Sequence, residues 1–189
     1  MQTYISILRG INVSGHNLIK MNALQEICGT LGFRNVRTYI QSGNIVFETK
    51  TTDMMTLEKT ISDAILKSFG FDIPVLVLEK EALKNIEDHN VFINERHEDH
   101  TKLHVTFLSD IPEKLLTDGI PHEGYLPDEF YIRGKSVYLF CPNGYGNTKL
   151  SNTFFEKKLK VRATTRNWKT IVELIKMSDW TTLKNEINC

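Results

Sequence analysis

Arg9, Asn12, Gly15, His16, Asn17 and Lys20 fall in one short stretch near the start of the chain, Arg9-Gly10-Ile11-Asn12-Val13-Ser14-Gly15-His16-Asn17 and the residues just after it. Glycines let backbone N–H groups converge on an anion, and the N-terminus of a following helix adds a positive dipole end. Arg9 and Lys20 would supply charge, and His16 could act as an acid or base. The spacing fits neither GxxxxGK[ST] nor GxGxxG, so no nucleotide fingerprint is met. The competing reading is architectural: Gly and Asn often serve only to hold unusual φ angles in a connection. A second polar group is Gln41, Ser42 and Asn44, around Gly43. Its chemical role requires these side chains to face the first loop; otherwise it is a tight turn.

The third group is Lys149, Arg166 and Asn167. They belong to a stretch, 149–169, with seven bases and one acid. Such a concentration reads as a phosphate or nucleic-acid footprint. The plainer reading is solvated helix faces and salt bridges to an acidic segment. The sequence places Arg166 at a helix N-terminus, where a cation opposes the dipole and calls for an anionic neighbour. The expectation is that the loop after the first strand and the start of the last long helix border one cavity.

No nucleophile constellation is complete. Ser42 lacks a nearby His–acid pair, and GxSxG is absent. His97, His100 and His104 have spacing that can suit a metal, but they read as a solvated loop entering a strand, with His104 on the exposed side beside Lys102 and Thr106. No metal or cofactor is expected. Cys28, Cys141 and Cys189 form no CxxC pair; the first two read as core positions, as in a reducing cytoplasm.

The elements that would carry these groups follow from periodicity. Residues 3–8 form a strand. Asn22, with Gln25, is expected to cap a helix with Leu24, Ile27, Cys28 and Leu31 on one stripe, stopped by Gly32. Two β-rich runs surround the turn 41–44. A helix then runs from about Asp53 to Phe69, and 74–78 is an apolar strand. This βαββαβ order is the split βαβ, ferredoxin-like plait. The segment 80–100 is acidic and reads as a connector. The second half repeats βαββα: strand 103–108, a short helix opened by Pro112, a hairpin about Arg133-Gly134-Lys135, and a helix capped by Ser151. A last helix is expected to start near Thr165 and carry Trp168, Ile171, Val172 and Ile175. The class is therefore α+β, with ferredoxin-like lobes at 1–79 and 101–189 and a connector at 80–100. The second lobe is expected to be incomplete, ending in helices.

Hydrophobic residues make up 41% of 189, enough for a substantial core. Lys+Arg and Asp+Glu both number 23, so no overall charge draws the chain to nucleic acid or anionic membrane. The start lacks the features of a signal peptide, and no apolar run approaches membrane-spanning length.

Three stretches together resemble one family: residues 7–17, Arg37-Thr38-Tyr39-Ile40-Gln41-Ser42-Gly43-Asn44-Ile45-Val46-Phe47, and Ala163-Thr164-Thr165-Arg166-Asn167-Trp168-Lys169-Thr170. Pro142-Asn143-Gly144-Tyr145-Gly146 to Leu150 extends the match. The family is the bacterial domain of unknown function 1697. The resemblance implies a soluble bacterial protein with an α/β plait, and no particular activity. Ser14 stands where the family's loop more often has a second glycine. From these readings the expected function is a binding module for a phosphate-bearing small molecule or nucleic acid. Two alternatives remain: an enzyme acting on such a ligand with help from His16 or Ser42, and a structural or partner-binding protein using a sheet edge or face.

Overall fold

The computed structural model describes residues 1–179. Of the described residues, Met1–Lys84 together with 173–179 form one compact unit and Asn85–Val172 a second. Both units contain a four-stranded antiparallel sheet with helices, so the fold is α+β with two ferredoxin-like lobes.

In the first unit the order is β1 (Gln2–Leu8), α1 (Met21–Thr30), β2 (Arg34–Tyr39), β3 (Asn44–Thr49), α2 (Met54–Phe69) and β4 (Val75–Glu79). The sheet order is β2-β3-β1-β4, with β1 central and antiparallel to both β3 and β4. Alternation along the strands sends Tyr4, Leu8, Ile45, Phe47, Val75 and Val77 into one cluster with Leu24, Cys28, Leu57, Ile61 and Ile65 of the helices. Helix α2 starts where the sequence predicts: Asp53 accepts from the N–H groups of Met55 and Thr56. Helix α1 does not. Its N-cap is Lys20, with no side-chain cap, and Asn22 lies inside the first turn. The cause is upstream: the Asn12 side chain holds both the N–H and the carbonyl of Ile19, so the chain enters the helix directly after Ile19, at Lys20, ahead of Asn22.

After β4 in the sequence come α3 (Lys80–Asp88) and α4 (Val91–Asn94). Leu83 and Ile86 are buried. Arg96 pairs with Glu98 and, by two hydrogen bonds of 2.7 and 2.9 Å, with Glu129. This bidentate contact, chiefly the Arg96 hydrogen bonds, holds the Glu129 carboxyl below its ordinary range.

The second unit continues with β5 (Leu103–Leu108), α5 (Lys114–Asp118), β6 (Glu129–Arg133), β7 (Ser136–Phe140), α6 (Asn152–Leu159) and β8 (Ala163–Asn167), followed by α7 (Trp168–Ser178). Its sheet order is β6-β7-β5-β8. The fourth strand is present, so the second plait is complete. The expected helix near Thr165 starts instead at Trp168, because Ala163–Asn167 pairs along β5 from Leu108↔Ala163 to His104↔Asn167. Thr164 and Thr165 are β-branched and favour a pleated strand over a helix start. Ser151 caps α6 as expected, accepting from Phe154 N. Pro112 does not open α5, whose N-cap is Glu113.

Edge strands in both units are tied by the same device. Glu58 on α2 accepts from Val77 N at 3.0 Å, and Glu156 on α6 accepts from Ala163 N at 3.1 Å. A helix carboxylate thus satisfies a backbone donor that an edge strand would leave open. Among the described residues no helix is long and apolar enough to cross a membrane.

Candidate functional site

The loop between β1 and α1 owes its shape to local backbone chemistry. Gly10, Asn12, Ser14, Gly15 and Asn17 all have φ between 48° and 79°. Asn tolerates this region through its own side-chain bonds, and Gly has no Cβ to clash. Asn12 uses its whole amide: Nδ2 donates to Ile19 O at 2.9 Å and to Gln41 O at 2.8 Å, and Oδ1 accepts from Ile19 N at 2.9 Å. Asn17 Nδ2 donates to Gly10 O at 2.9 Å, and His16 N donates to Val13 O, closing a small bridge. Asn12 and Asn17 are therefore built into the loop's frame. Ser14, Gly15 and His16 form its exposed tip, and Lys20 at its exit is also exposed.

The turn 41–44 sits against this loop. Leu8 N donates to Gly43 O at 2.8 Å, in addition to the Asn12–Gln41 bond. Gly43 has φ 76°, and a Cβ there would lie 2.6 Å from Ile11 Cδ1 and 2.8 Å from Leu8 Cβ. Only glycine lets the hairpin come this close. Asn44, fully buried, donates to Tyr39 O and to Ser42 Oγ, both at 3.0 Å. Gln41 is exposed and Ser42 half-buried. Arg9 N donates to Pro74 O at 3.0 Å, which ties the loop's entry to the start of β4.

Lys149, Arg166 and Asn167 belong to the second unit. Lys149 is exposed. Arg166 lies in β8 rather than at a helix N-terminus, paired in register with Val105 and 9% exposed. Burial pushes its guanidinium down to about 10, and Nη1 donates to Thr165 O at 2.9 Å. Asn167 takes the capping role at the final helix: its Oδ1 accepts from Thr170 N at 2.8 Å. Trp168 is core, as its stripe predicts. Among the described residues, Lys149, Lys157, Lys158, Lys160, Arg162 and Lys169 form no ion pairs.

His104 is not on an exposed side. It shares a face with Thr106, which is fully buried, and its ring stacks on Tyr145 at 4.8 Å. Burial depresses its pKa. The covering is a hydroxyl network that the sequence did not suggest. Thr165 Oγ1 meets Thr106 Oγ1 at 2.7 Å, accepts from Tyr145 Oη at 3.0 Å and donates to Asn152 Oδ1 at 2.6 Å. It fixes the glycine-rich loop 141–149 and the start of α6 to the sheet. Thr106 and Thr165 face each other across the β5–β8 register, a pairing visible only once Ala163–Asn167 is a strand. Among the described residues no group of three or more His, Cys, Asp or Glu is placed to hold a metal. Cys28 and Cys141 are buried free thiols, pushed up by burial to about 12 and about 11, and so poorly reactive.

A plait duplicated within one chain, with an Asn- and Gly-rich loop clamped after the opening strand, defines the class. Residues 1–138 match the family described as "Protein of unknown function (DUF1697)", and the chain belongs to it. The curated proteins contain no match. Among solved structures the chain is similar to the conserved bacterial protein SP0830 from Streptococcus pneumoniae, with a TM-score of 0.67 and 21% identity over 94% of this chain and 99% of that one. That likeness is one of fold.

Proposed function

We propose that the protein is a binding module whose first-unit loop, residues 9–20, holds the phosphate of a small molecule or a nucleic acid, in the cytoplasm of a bacterium. The supporting observation is the clamp. Asn12 locks the base of the loop to Ile19 and Gln41, while the tip at Ser14, Gly15 and His16 is exposed and carries no core side chain. A connection alone needs no such rigidity, whereas a binding loop gains affinity from being preorganised. Arg9 and Lys20 flank the loop, and α1 begins without a side-chain cap, leaving first-turn N–H groups open to an anion. The buried free thiols suit a reducing compartment. The test is a thermal-shift screen with inorganic phosphate, sugar phosphates, nucleotides and short RNA. The expected result is a raised melting temperature with at least one phosphate compound, weakened at least fivefold in ligand dependence by Lys20→Glu. No shift with any of them, or a shift unchanged by Lys20→Glu, overturns it.

A second reading has its own observation. Val13, Leu18 and Ile40 are exposed hydrophobics on this same loop and turn, and Ile40 holds a β-branched side chain at φ 50°. They favour a protein partner. Loss of self-association or partner binding in Val13→Ser/Leu18→Ser, with phosphate effects absent, would select this reading.

A further inference from the structure

The second unit repeats the backbone junction of the first. Leu108 N donates to Lys135 O at 2.8 Å and Ser109 N to Arg162 O at 2.9 Å, as Leu8 N and Arg9 N donate to Gly43 O and Pro74 O. The end of β5 is therefore flanked by the β6–β7 hairpin on one side and by the α6–β8 turn on the other. Two more bonds draw these segments together: Arg162 N donates to Ser109 Oγ at 3.0 Å, and Lys135 Nζ donates to Ser109 O at 3.3 Å. What they carry is charge of one sign. Arg133 and Lys135 lie in the hairpin, and Lys157, Lys158, Lys160 and Arg162 lie at the turn, all of them exposed. The acids beside them are Asp110 and Glu113, and Asp110 pairs with Lys135 at 3.3 Å. The other bases make no ion pair among the described residues. Glu156, the acid just before the turn, is directed at Ala163 N.

The matching turn of the first unit shows which of these charges the fold itself explains. A lysine in the last turn of a helix complements the dipole, and α2 has Lys67 there as α6 has Lys157 and Lys158. Beyond the helix the two turns differ. The C-cap of α2 is Gly70, at φ 75°, with its N–H on Leu66 O. That of α6 is Lys160, at φ 59°, with its N–H on Glu156 O. Both are left-handed, a conformation that disfavours a Cβ and suits glycine. A lysine thus stands where the backbone favours no side chain. Further on, the first unit has Asp72 and Pro74 and no base, whereas the second has Arg162. Neither the helix dipole nor the turn geometry asks for Lys160 or Arg162.

We infer that this end of the second unit is a nucleic-acid surface, on which Lys157, Lys158, Lys160, Arg162 and Arg133 hold the phosphate backbone. Cations without acid partners release the counterions of a polyanion, and that release drives backbone affinity. The turn 157–162 has no aromatic ring to stack on a base, so the contacts are to phosphate and binding is indifferent to sequence. Neither the hairpin nor the turn has an exposed large apolar side chain to enter a bilayer. The surface shares no residue with loop 9–20 and stands without that loop's reading.

The test is a titration of the full chain with fluorescein-labelled DNA of unrelated sequences, single-stranded and duplex, over a series of salt concentrations. Tight binding is expected at low salt, with equal affinity for the different sequences. For the duplex, the logarithm of affinity should fall against the logarithm of salt with a slope of roughly −4, as befits about five neutralised phosphates. Lys160→Gly and Arg162→Gln should each weaken binding by about threefold or more and reduce the slope by about one; together they should cost at least about tenfold. Lys160→Gly also relieves the left-handed backbone, so the melting temperature should hold or rise while affinity falls, which separates a lost contact from a folding defect. Lys67→Gln, at the matching helix end, should leave binding as it is. No binding at low salt overturns the inference, as does an affinity untouched by the two turn substitutions. Binding to phosphatidylserine vesicles instead of DNA, lost in the double variant, assigns the surface to lipid and overturns it. Loss on Lys20→Glu, with the turn variants binding as wild type does, overturns it while supporting the first-unit reading.

Discussion

The segments that leave β1 and β5 begin from the same two backbone hydrogen bonds and then diverge. After β1 the chain spends residues 9–20 in a loop rich in left-handed residues, and Asn12 holds it in place. After β5, residues 109–113 reach α5 with no positive φ. The neighbours compensate. In the first unit the partner at the helix-to-strand turn is Pro74, which has no N–H to satisfy, and Arg9 brings no hydroxyl. In the second unit the partner is Arg162, whose N–H is met by Ser109 Oγ. At the hairpin the first unit needs Gly43, because Ile11 folds over the turn, while the second carries Lys135 with its side chain outward. One fold therefore tolerates either a clamped loop or a short connection. What has to be conserved between the units is the backbone donor–acceptor account, not residue identity.

The largest effect that tests this contrast is Gly43→Ala. The added Cβ meets Ile11 and Leu8 at 2.6 and 2.8 Å and must also hold φ 76°. A loss of about 3 kcal/mol or more is expected in chemical denaturation, against less than about 0.5 kcal/mol for Lys135→Ala at the matching position. Equal effects would break the comparison. Next is Asn12→Ala, which removes three hydrogen bonds at the loop base. It should cost about 2 kcal/mol and speed hydrogen exchange at Ile19 by at least tenfold. An unchanged exchange rate would mean that the loop is not clamped by this side chain. Thr165→Val keeps shape but removes the hydroxyl shared by Thr106, Tyr145 and Asn152. A loss of about 1–2 kcal/mol is expected, together with faster proteolysis within residues 141–149.

The smallest effect concerns pH. Burial lowers the His104 pKa in the folded protein, so folding favours the neutral ring. The associated stability is present above the unfolded histidine value of about 6.5 and is lost as pH falls through the lower folded value. His104→Phe should therefore flatten the stability profile below about pH 6.5 while leaving the carboxylate-driven loss near pH 4. A wild-type-minus-variant difference that stays constant from pH 8 to pH 5 would contradict this origin.

Much of the frame was legible because it is local. The stripe in α2, the Ser151 cap and the β-rich runs of β1, β3 and β7 are written in neighbouring residues. Local reading failed where a distant group decided the outcome. Asn22 has good capping chemistry, yet Asn12 had already fixed where α1 begins. Arg166 looks like a helix-start cation, but β5 recruits its segment as a strand. His104 and Thr106 look like an outward polar face until loop 141–149 is laid over them. Of the polar loop residues, sequence identified Arg9, Asn12, Gly15, His16, Asn17 and Lys20 as a group, but not that Asn12 and Asn17 are consumed in holding the loop.

Sequence alone determined the βαββαβ order of the first half and the βαββα run of the second, because helix and strand periods depend on residues a few positions apart and on which of them avoid water. Tertiary structure decided the second closing strand, the clamp around Ile19 and which histidine is buried. Those outcomes depend on hydrogen-bond partners tens of residues away, and a backbone or imidazole group has no preferred burial until such a partner, or a covering segment, is in place.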